Sequence, residues 1–382
     1  MIGYGHQYID EADIKAVVDV LKSDFLTQGP FVAKFEQEIC RITGAKYCVS
    51  VSNATAGLHI AVAALELGDE AEGITTPNTF LASSNCMVYN KIKPVFADIN
   101  PITYNINPEE IEKHITSKTK LLIPVHFAGL PCEMDKISKI ANEHNLHIIE
   151  DAAHAIGSQY ADSSFVGNCK YSDMTVFSFH PVKTITTGEG GAVTTNDEKL
   201  YQKLLMLRSH GTTKDANLLT KNPGPWYYEM QALGFNFRMT DMQAALGYSQ
   251  LQKLDFFKKR RRDIVAKYNN AFAGMKFLKM PTEPENVSSC FHLYAVQIDF
   301  TALGKPRVQM MQELREKGIG TQVHYIPVPT QPFYKETYGY KNGDFPIAGK
   351  YYEQELSLPL YPGMSDEDVD AVIATLKDVI NK

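Results

Sequence analysis

Short β-rich runs alternate with helical patterns between about residues 45 and 200, and this alternation limits the folds open to the chain. The runs include "YCVSVS", "KPVFADI", "LLIPVHF", "LHIIEDAA" and "MTVFSF", and a helical pattern such as "ATAGLHIAVAALELG" follows the first of them. Strands separated by helices favour a mainly parallel sheet with helices on both faces. The sequence therefore predicts an α/β fold, in which ligands bind beyond the carboxyl ends of the strands.

The rest of the chain predicts a second, smaller unit. From Thr240 to about residue 273 the pattern is that of one long helix, opened by a possible capping box of Thr240 and Gln243. Beyond it, "FHLYAVQID" and "GIGTQVHY" predict strands, and "SDEDVDAVIATL" opens a C-terminal helix. We place the boundary inside the long helix, which predicts a large domain of residues 1–250 and a small domain of residues 251–382.

The charge of the chain indicates no nucleic-acid partner. Its 382 residues carry a formal net charge of −6, whereas nucleic-acid-binding domains present a basic patch or stripe. The one basic run, Lys258–Arg262, lies in the long helical pattern and is interpreted as a solvated helix face rather than an anion site.

The cysteines and the apolar runs predict a cytoplasmic protein. The six cysteines are scattered, with no C-x-x-C and no spacing typical of zinc, so we expect reduced thiols and no metal. No run of about eighteen apolar residues is present to span a membrane. The first residues lack the pattern of a signal peptide.

"VFSFHPVKTITTGEGGAV", Val176–Val193, contains one lysine in apolar company. Lys183 is the only charged residue between Val176 and Gly188. A loop lysine can lay its stem on apolar surface and keep its ammonium group in water. Alternatively, desolvation lowers the pKa of the amine, which can then attack a carbonyl or hold an imine.

Other motifs at strand ends also permit two interpretations each. Asp151, at the end of "LHIIE", suits a helix cap or a carboxylate that keeps a heterocyclic nitrogen protonated. "SNATAG" suits a cap or a phosphate cradle at a helix N-terminus, while His154 and Ser178 suit ordinary core and strand positions. Together, an imine-forming lysine, an acid for a ring nitrogen, a phosphate cradle and a nearby serine are the parts of a pyridoxal 5′-phosphate (PLP) enzyme.

With these motifs the chain resembles the DegT/DnrJ/EryC1/StrS family of PLP-dependent nucleotide-sugar aminotransferases. The resemblance rests on "SNATAGLHIA", "TTPNTFLAS", "IIEDAAHAIGS", the lysine motif, "LRSHG", "GFNFRMTDMQAALG" and "QVHYIP", and it is essentially full-length. It implies the aspartate-aminotransferase-type fold (fold type I), with a mainly parallel sheet in the large domain and a smaller C-terminal α/β domain.

The resemblance also implies roles for individual residues. Lys183 would form the imine and move protons, and Asp151 would contact the pyridine nitrogen. The residues that would bind PLP, or its pyridoxamine form PMP, are Thr55, Ala56, Phe80, Asp151, His154, Ser178, Lys183 and Asn236. Among them, Phe80 would stack on the ring, and Asn236 would reach the phosphate of a neighbouring subunit, so that the active unit is a homodimer with shared sites. The residues that would line the sugar-nucleotide site are Tyr4, Leu26, Thr27, Gln28, Gly29, Gln322, Val323, His324 and Tyr325. By itself, Leu26–Gly29 would be interpreted as a turn and Gln322–Tyr325 as a strand.

The form of the lysine motif most resembles enzymes that aminate C4 of a UDP-linked 4-keto sugar for pseudaminic acid synthesis. The implied substrates are glutamate and a UDP-linked 4-keto-6-deoxy-N-acetylhexosamine, with other nucleotide-linked keto sugars as the alternative. A deoxygenating relative would carry histidine in place of Lys183, and a regulatory member would not need Lys183, Asp151 and Ser178 together. A dinucleotide-binding dehydrogenase is disfavoured because "TTGEGGA" is not G-x-G-x-x-G and precedes a strand.

Overall fold

A seven-stranded sheet forms the centre of the molecule, whose computed structural model describes residues 1–381. Its strands run in the spatial order β1-β7-β6-β5-β4-β2-β3. Only β7 is antiparallel to its neighbours, so the predicted mainly parallel α/β sheet is confirmed. The strands are β1 (Tyr47–Val51), β2 (Glu72–Thr75), β3 (Lys93–Phe96), β4 (Thr119–Ile123), β5 (His147–Asp151), β6 (Met174–Ser178) and β7 (Gly191–Thr195).

Helices cover both faces of this sheet. In β5, Ile148 packs in one apolar cluster and Ile149 in the other, because successive strand side chains point to opposite faces. Burial on both sides explains why apolar residues follow one another in β5, at Ile148 and Ile149, rather than alternating with exposed polar ones. The helices up to this point of the chain are α1 (Glu11–Leu21), α2 (Pro30–Thr43), α3 (Ala54–Leu65), α4 (Ala82–Tyr89), α5 (Pro108–His114), α6 (Met134–His144) and α7 (Glu198–Arg208).

The remaining elements include a second, three-stranded sheet with its own apolar core, which draws on residues from Ile264 to Ile380. The domain boundary near residue 250 remains a prediction. The strands are β8 (Thr212–Thr213) and β9 (Glu229–Met230), which pair with each other, and β10 (Leu278–Lys279), β11 (Tyr294–Ile298) and β12 (Glu355–Leu358), which form the small sheet. The helices are α8 (Asp241–Leu251), α9 (Leu254–Phe272), α10 (Phe300–Leu303), α11 (Arg307–Glu316), α12 (Pro332–Tyr338), α13 (Pro346–Gln354) and α14 (Asp366–Asn381).

The prediction of one long helix from Thr240 is wrong, because α8 ends at Leu251 and α9 begins at Leu254. The capping box itself is present: Thr240 Oγ1 accepts from the Gln243 N–H, and the Thr240 N–H donates to Gln243 Oε1. At the break, the Lys253 ammonium pairs with Asp10 and with Asp13 on α1, at 2.8 and 2.6 Å. No glycine or proline marks this break, so the local sequence carries no signal for it.

Two further predictions need correction. "GIGTQVHY" forms isolated bridges, Ile2 with Ile319 and Gln322 with Ser357, rather than a strand. The backbone pairing of this segment with β12 stops at His324, because the His324 N–H donates to the carboxylate of Glu355, at 2.8 Å, instead of to a backbone carbonyl. The basic run is not simply a solvated face either: Arg261 is 1% exposed, and its guanidinium donates to the carbonyl oxygens of Phe291, His292 and Leu360.

Candidate active site

A cavity of about 890 Å³ lies beyond the carboxyl ends of β5 and β6, beside the first turn of α3. This is the edge at which ligands bind in open α/β sheets. The segment from Gln322 to Ile326 and the ring of Tyr4 close its other side. The sequence-predicted residues that line it are Tyr4, Thr55, Phe80, Asp151, His154, Ser178, Lys183, Gln322, Val323, His324 and Tyr325.

Lys183 lies in the loop between β6 and β7, in a turn closed by its own N–H donating to the His180 carbonyl at 2.8 Å. Desolvation lowers the pKa of its amine to about 8, while the negative charge of Asp151 opposes that change. Within residues 1–381 no hydrogen bond or ion pair engages the Lys183 ammonium. A lysine in this setting releases its proton near neutral pH, as an amine that attacks carbonyls must. Lys183 is half-buried and lines the cavity, so its amine can react with a ligand bound there.

Asp151 is the last residue of β5 and is buried at the floor of the cavity. Its Oδ2 accepts from Ser83 Oγ at 2.6 Å, and its Oδ1 accepts from the Ala153 N–H at 3.1 Å. Burial raises the pKa of this carboxyl, while Ser83, Ala153 and the charge of Lys183 act in the opposite direction. A cation placed against Asp151 would satisfy a carboxylate that the protein itself only partly compensates.

The first turn of α3 forms the predicted cradle. Asn53 is its N-cap and accepts the Ala56 N–H at 2.8 Å, so the cap interpretation is confirmed, and the N–H groups ahead of Ala56 have no partner inside the helix. Strand β7 passes directly beneath: a Cβ on Gly191 would lie 2.7 Å from the Ala54 nitrogen. Free N–H groups at a helix start favour an anion, and Thr55 and Ser178 face the cavity here.

His154 is buried and neutral, because burial lowers its pKa well below the usual range. Its Nδ1 accepts from the Ala128 N–H at 3.3 Å, which places the imidazole proton on Nε2. Nε2 lies 3.2 Å from Tyr325 Oη and donates to it. The rings of His154 and His292 lie 4.4 Å apart. The two histidines and Tyr325 thus form one polar side of the cavity.

Aromatic rings form the mouth of the cavity. The Phe80 side chain is 58% exposed there, and its ring centre lies 6.3 Å from that of Tyr325. Tyr4 lies 5.5 Å from His324 on the same side. An exposed aromatic side chain beside a cavity offers a flat apolar surface to a ligand ring.

Six predicted residues lie outside this cavity. Ala56 is buried behind it and its N–H is engaged by Asn53, as described above. Leu26, Thr27, Gln28 and Gly29 form an exposed turn held against α8, where the Gly29 N–H donates to Asp241 at 2.7 Å. Asn236 is exposed and forms an isolated bridge with Ser209. The roles assigned to these six residues remain predictions.

The sequence interpretation missed Ser83, His292 and Glu189. Ser83 lies within "TTPNTFLAS", four residues after Thr79, whose hydroxyl is 2.6 Å from that of Ser83. A serine one helical turn along from the predicted stacking segment was the available signal. His292 and Glu189 line the cavity from loops far apart in the chain, and no local pattern marks either.

The arrangement fits PLP by the chemistry of its donors. Free N–H groups at the start of α3 with Thr55 and Ser178 suit a phosphate, the buried Asp151 carboxylate suits a protonated ring nitrogen, and the Lys183 amine suits an aldehyde carbon. The exposed face of Phe80 suits a flat ring. These groups surround one cavity, as a single cofactor requires.

Similarity to known proteins points the same way. The model of the DegT/DnrJ/EryC1/StrS aminotransferase family matches residues 7–377. The uncharacterized protein MJ1066 of Methanocaldococcus jannaschii is 46% identical over 374 residues, which are 98% of this chain and 96% of that protein. The spore coat polysaccharide biosynthesis protein SpsC of Bacillus subtilis is 42% identical over 378 residues, 99% of this chain and 96% of that one.

Solved structures share the whole fold. PseC of Helicobacter pylori, an aminotransferase involved in the biosynthesis of pseudoaminic acid, superposes with a TM-score of 0.92 at 31% identity, covering 100% of this chain and 99% of that chain. Spr1654 of Streptococcus pneumoniae, a proposed sugar aminotransferase in its PMP form, gives a TM-score of 0.93 at 33% identity over 100% and 99% of the chains. The predictions of fold type I and of a PLP-dependent aminotransferase are confirmed. The chain belongs to the DegT/DnrJ/EryC1/StrS aminotransferase family.

Proposed function

We propose that this aminotransferase moves an amino group from glutamate to C4 of a UDP-linked 4-keto-6-deoxy-N-acetylhexosamine, in pseudaminic acid synthesis. The observation that carries the chemistry is one cavity that joins an amine of lowered pKa, Lys183, to a buried carboxylate, Asp151, and to the free N–H groups of α3. The choice of sugar is supported by the likeness to PseC over the full chain.

Each residue has a distinct part in the reaction. When bound, PLP supplies an electron sink for the electrons released at the donor Cα. The Lys183 amine, neutral above a pKa of about 8, would act as the base that takes up the proton from that carbon and holds it for return. Asp151 would keep the ring nitrogen protonated, and Thr55 and Ser178 would hold the phosphate. In the second half of the reaction the keto sugar enters and the same amine moves the proton in the opposite direction.

The sugar nucleotide would lie along the aromatic mouth, between Tyr4 and the segment from Gln322 to Tyr325. Asn236 and the turn from Leu26 to Gly29 lie outside their own chain's cavity, which suits residues that complete a neighbouring subunit's site. The proposal therefore includes a homodimer in which each site draws on both chains.

The cellular location is proposed as the cytoplasm. None of the helices within residues 1–381 has the length and apolar character needed to cross a membrane. Nucleotide-linked sugars are charged small molecules, and this location would put the enzyme beside them.

A second candidate is an aminotransferase acting on a different nucleotide-linked keto sugar, at C3 or C4. The observation in its favour is that identity to SpsC, named for spore coat polysaccharide biosynthesis, is 42%, against 31% to PseC. Sugar epimers differ in the orientation of a single group such as a hydroxyl, and a site with fixed hydrogen-bonding partners can discriminate between two orientations.

A half-reaction screen tests both candidates. The protein is loaded with PMP and mixed with each keto sugar, and the return of PLP absorbance is followed in time. We expect the UDP-linked C4-keto sugar to react fastest by kcat/KM. If a C3-keto sugar or another nucleotide carrier reacted faster, the second candidate would replace the first. The reverse half-reaction, PLP-loaded protein with glutamate and with other amino acids, identifies the donor.

A further inference from the structure

A buried chain of hydrogen bonds runs from the cavity wall into the small domain. Its members are His324, at the cavity, and Ser357 and Glu355, which lie in β12 behind the wall. His324 Nδ1 is 2.8 Å from Ser357 Oγ, and Ser357 Oγ is 2.6 Å from Glu355 Oε1. The other carboxyl oxygen of Glu355 accepts the His324 N–H at 2.8 Å. All three residues are buried.

The backbone holds this chain in place. Gln322 and Ser357 exchange both backbone hydrogen bonds, at 2.8 and 3.2 Å, which positions the cavity segment against β12. The imidazole of His324 lies between the rings of Tyr4 and Tyr325, with centres 5.5 and 4.9 Å away. With Nδ1 bonded to Ser357 behind the wall, the opposite edge of the ring, which bears Nε2, faces the cavity.

Because Ser357 has only one hydroxyl proton, the hydrogen bonds from His324 through Ser357 to Glu355 can adopt two arrangements. With Glu355 ionised, Ser357 donates to Glu355 and accepts from Nδ1–H, so Nε2 is a bare acceptor. With Glu355 protonated on Oε1, it donates to Ser357, Ser357 donates to Nδ1, and the imidazole proton must sit on Nε2. One proton taken up at Nε2 balances the change, because Nδ1 passes its proton to Ser357 and Ser357 passes its own to Glu355.

We propose that Glu355 and Ser357 are positioning residues that decide which nitrogen of His324 carries the imidazole proton, so that His324 donates an N–H to oxygen atoms of the bound sugar substrate. The part that concerns the sugar rests on the proposed function, whereas the position of the proton does not. Neither Glu355 nor Ser357 touches the cavity, so both would act only through His324.

The surroundings set the pH at which the state changes. Burial raises the pKa of Glu355 to about 8, against the opposing effects of Ser357, the His324 N–H and the nearby charge of Arg307. Burial and the charge of Lys183 lower the pKa of His324 to about 3, so the ring stays neutral throughout. A carboxyl with a raised pKa is protonated below it and ionised above it, so Nε2–H is expected below about pH 8 and Nδ1–H above.

The ionisable groups around these hydrogen bonds come from several helices and loops. Those facing Glu355 are Arg307 at the start of α11, Tyr351 in α13, and Tyr325 and His324 in the cavity segment. Those facing His324 are Tyr4, Tyr325, His154, His292 and Lys183. Of these, Lys183 also titrates near pH 8, so activity alone cannot separate the two groups.

The test is therefore spectroscopic. The full-length, PLP-loaded protein is labelled with ¹⁵N at histidine, the His324 signals are assigned from the spectrum of His324→Gln, and the ring nitrogens are followed from pH 6 to 9.5. We expect the wild type to change from Nε2–H to Nδ1–H near pH 8. Glu355→Gln should keep Nε2–H at every pH, because its carbonyl oxygen is needed to accept the His324 N–H, so its NH2 group faces Ser357 and donates to it.

A matched control changes a buried glutamate that is unrelated to the cavity. Glu72 is also buried at the first residue of a strand and bonds a threonine hydroxyl, that of Thr116, at 2.6 Å. In Glu72→Gln, the ¹⁵N signals of the His324 ring nitrogens should change with pH as they do in the wild type. A wild type with Nδ1–H below pH 8, or a Glu355→Gln protein that titrates like the wild type, would overturn the inference, and the first of these outcomes does not depend on how any variant folds.

Binding of UDP-N-acetylglucosamine as a probe links the proton to the substrate. We expect its affinity for the wild type to fall roughly fivefold as pH rises past 8, the size of one neutral hydrogen bond, and to change less in Glu355→Gln. Equal losses in both proteins would overturn the substrate part of the inference. If the ¹⁵N signals behave as expected but no UDP-linked sugar binds or reacts, the proposed function fails while the assignment of the proton stands.

Discussion

Replacing Ser83 by alanine removes the shortest hydrogen bond to the carboxylate that would meet the cofactor ring. Ser83 Oγ donates to Asp151 Oδ2 at 2.6 Å, and both side chains are buried. A hydrogen bond to a charged group contributes about 1.5–3 kcal/mol. Since the hydrogen bond from Ser83 lowers the pKa of Asp151, that pKa should rise further in the variant, beyond the rise that burial already causes.

The same free energy applies to the cofactor. Asp151 must be ionised to hold a protonated ring nitrogen, and without Ser83 the carboxyl tends to be protonated in the apoprotein. PLP binding must then also ionise it, so the loss of about 1.5–3 kcal/mol of support should weaken binding by up to about 10- to 150-fold. The assay is a titration of the apoprotein with PLP, followed by absorbance, with thermal unfolding measured in parallel.

Ser84→Ala is the matched control. Ser84 is the next residue in α4 and is equally buried, but its hydroxyl bonds Tyr334 Oη at 2.7 Å rather than Asp151. It should lose stability on the scale of a neutral hydrogen bond, about 1 kcal/mol, and keep its affinity for PLP. If Ser83→Ala bound PLP as tightly as Ser84→Ala, the support of Asp151 by Ser83 would be refuted.

Four further outcomes are expected. Lys183→Ala should lose transamination but melt no lower than the wild type, since a desolvated amine is removed from the cavity rather than a packed core group; turnover without added amine would contradict its role. Asp151→Asn should bind PLP yet lose turnover by orders of magnitude, because an amide cannot hold the ring nitrogen's proton, and near-normal rates would mean that another group serves the nitrogen. The rate at which PLP attaches to the apoprotein should rise with pH through about 8 rather than 10.5, because only the neutral amine of Lys183 reacts; an inflection near 10.5 would show an exposed amine. If Asn236 completes the neighbouring subunit's site as proposed, mixing Lys183→Ala with Asn236→Ala subunits should restore activity, since each mixed dimer would have one site with both changes and one with neither; no recovery after proven exchange would mean that Asn236 serves its own chain.

The elements of the central sheet were predictable from local patterns. Strands such as β5 and β6 are buried on both faces, so they carry consecutive apolar residues such as Ile148–Ile149 and Val176–Phe177, and the helices of this region carry periodic apolar residues. The capping box of Thr240 and the cap of Asn53 were also readable, because each is made by residues within one turn.

The errors have one cause in common. The break between α8 and α9 depends on the ion pairs of Lys253 with Asp10 and Asp13. The strand predicted over "GIGTQVHY" does not form because Glu355 accepts the hydrogen bond of the His324 N–H. Arg261 is buried because backbone carbonyls from two other segments meet its guanidinium. In each case the partner is far away in the chain, and no local pattern encodes it.

The sequence by itself determined the strands and helices of the central sheet and indicated the family, and it predicted Lys183 as the reactive lysine and Asp151 as its acid, because these follow from periodicity and from short motifs of chemically distinctive residues. Only the tertiary structure decided that Ser83 donates a hydrogen bond to Asp151 and that Lys183 has a pKa of about 8. It also decided that two hydrogen bonds, through Ser357, connect His324 to Glu355. Hydrogen-bond partners and pKa values depend on distance and on the exclusion of water. Both arise when segments remote in sequence close around one cavity, and the residues' order along the chain does not specify either.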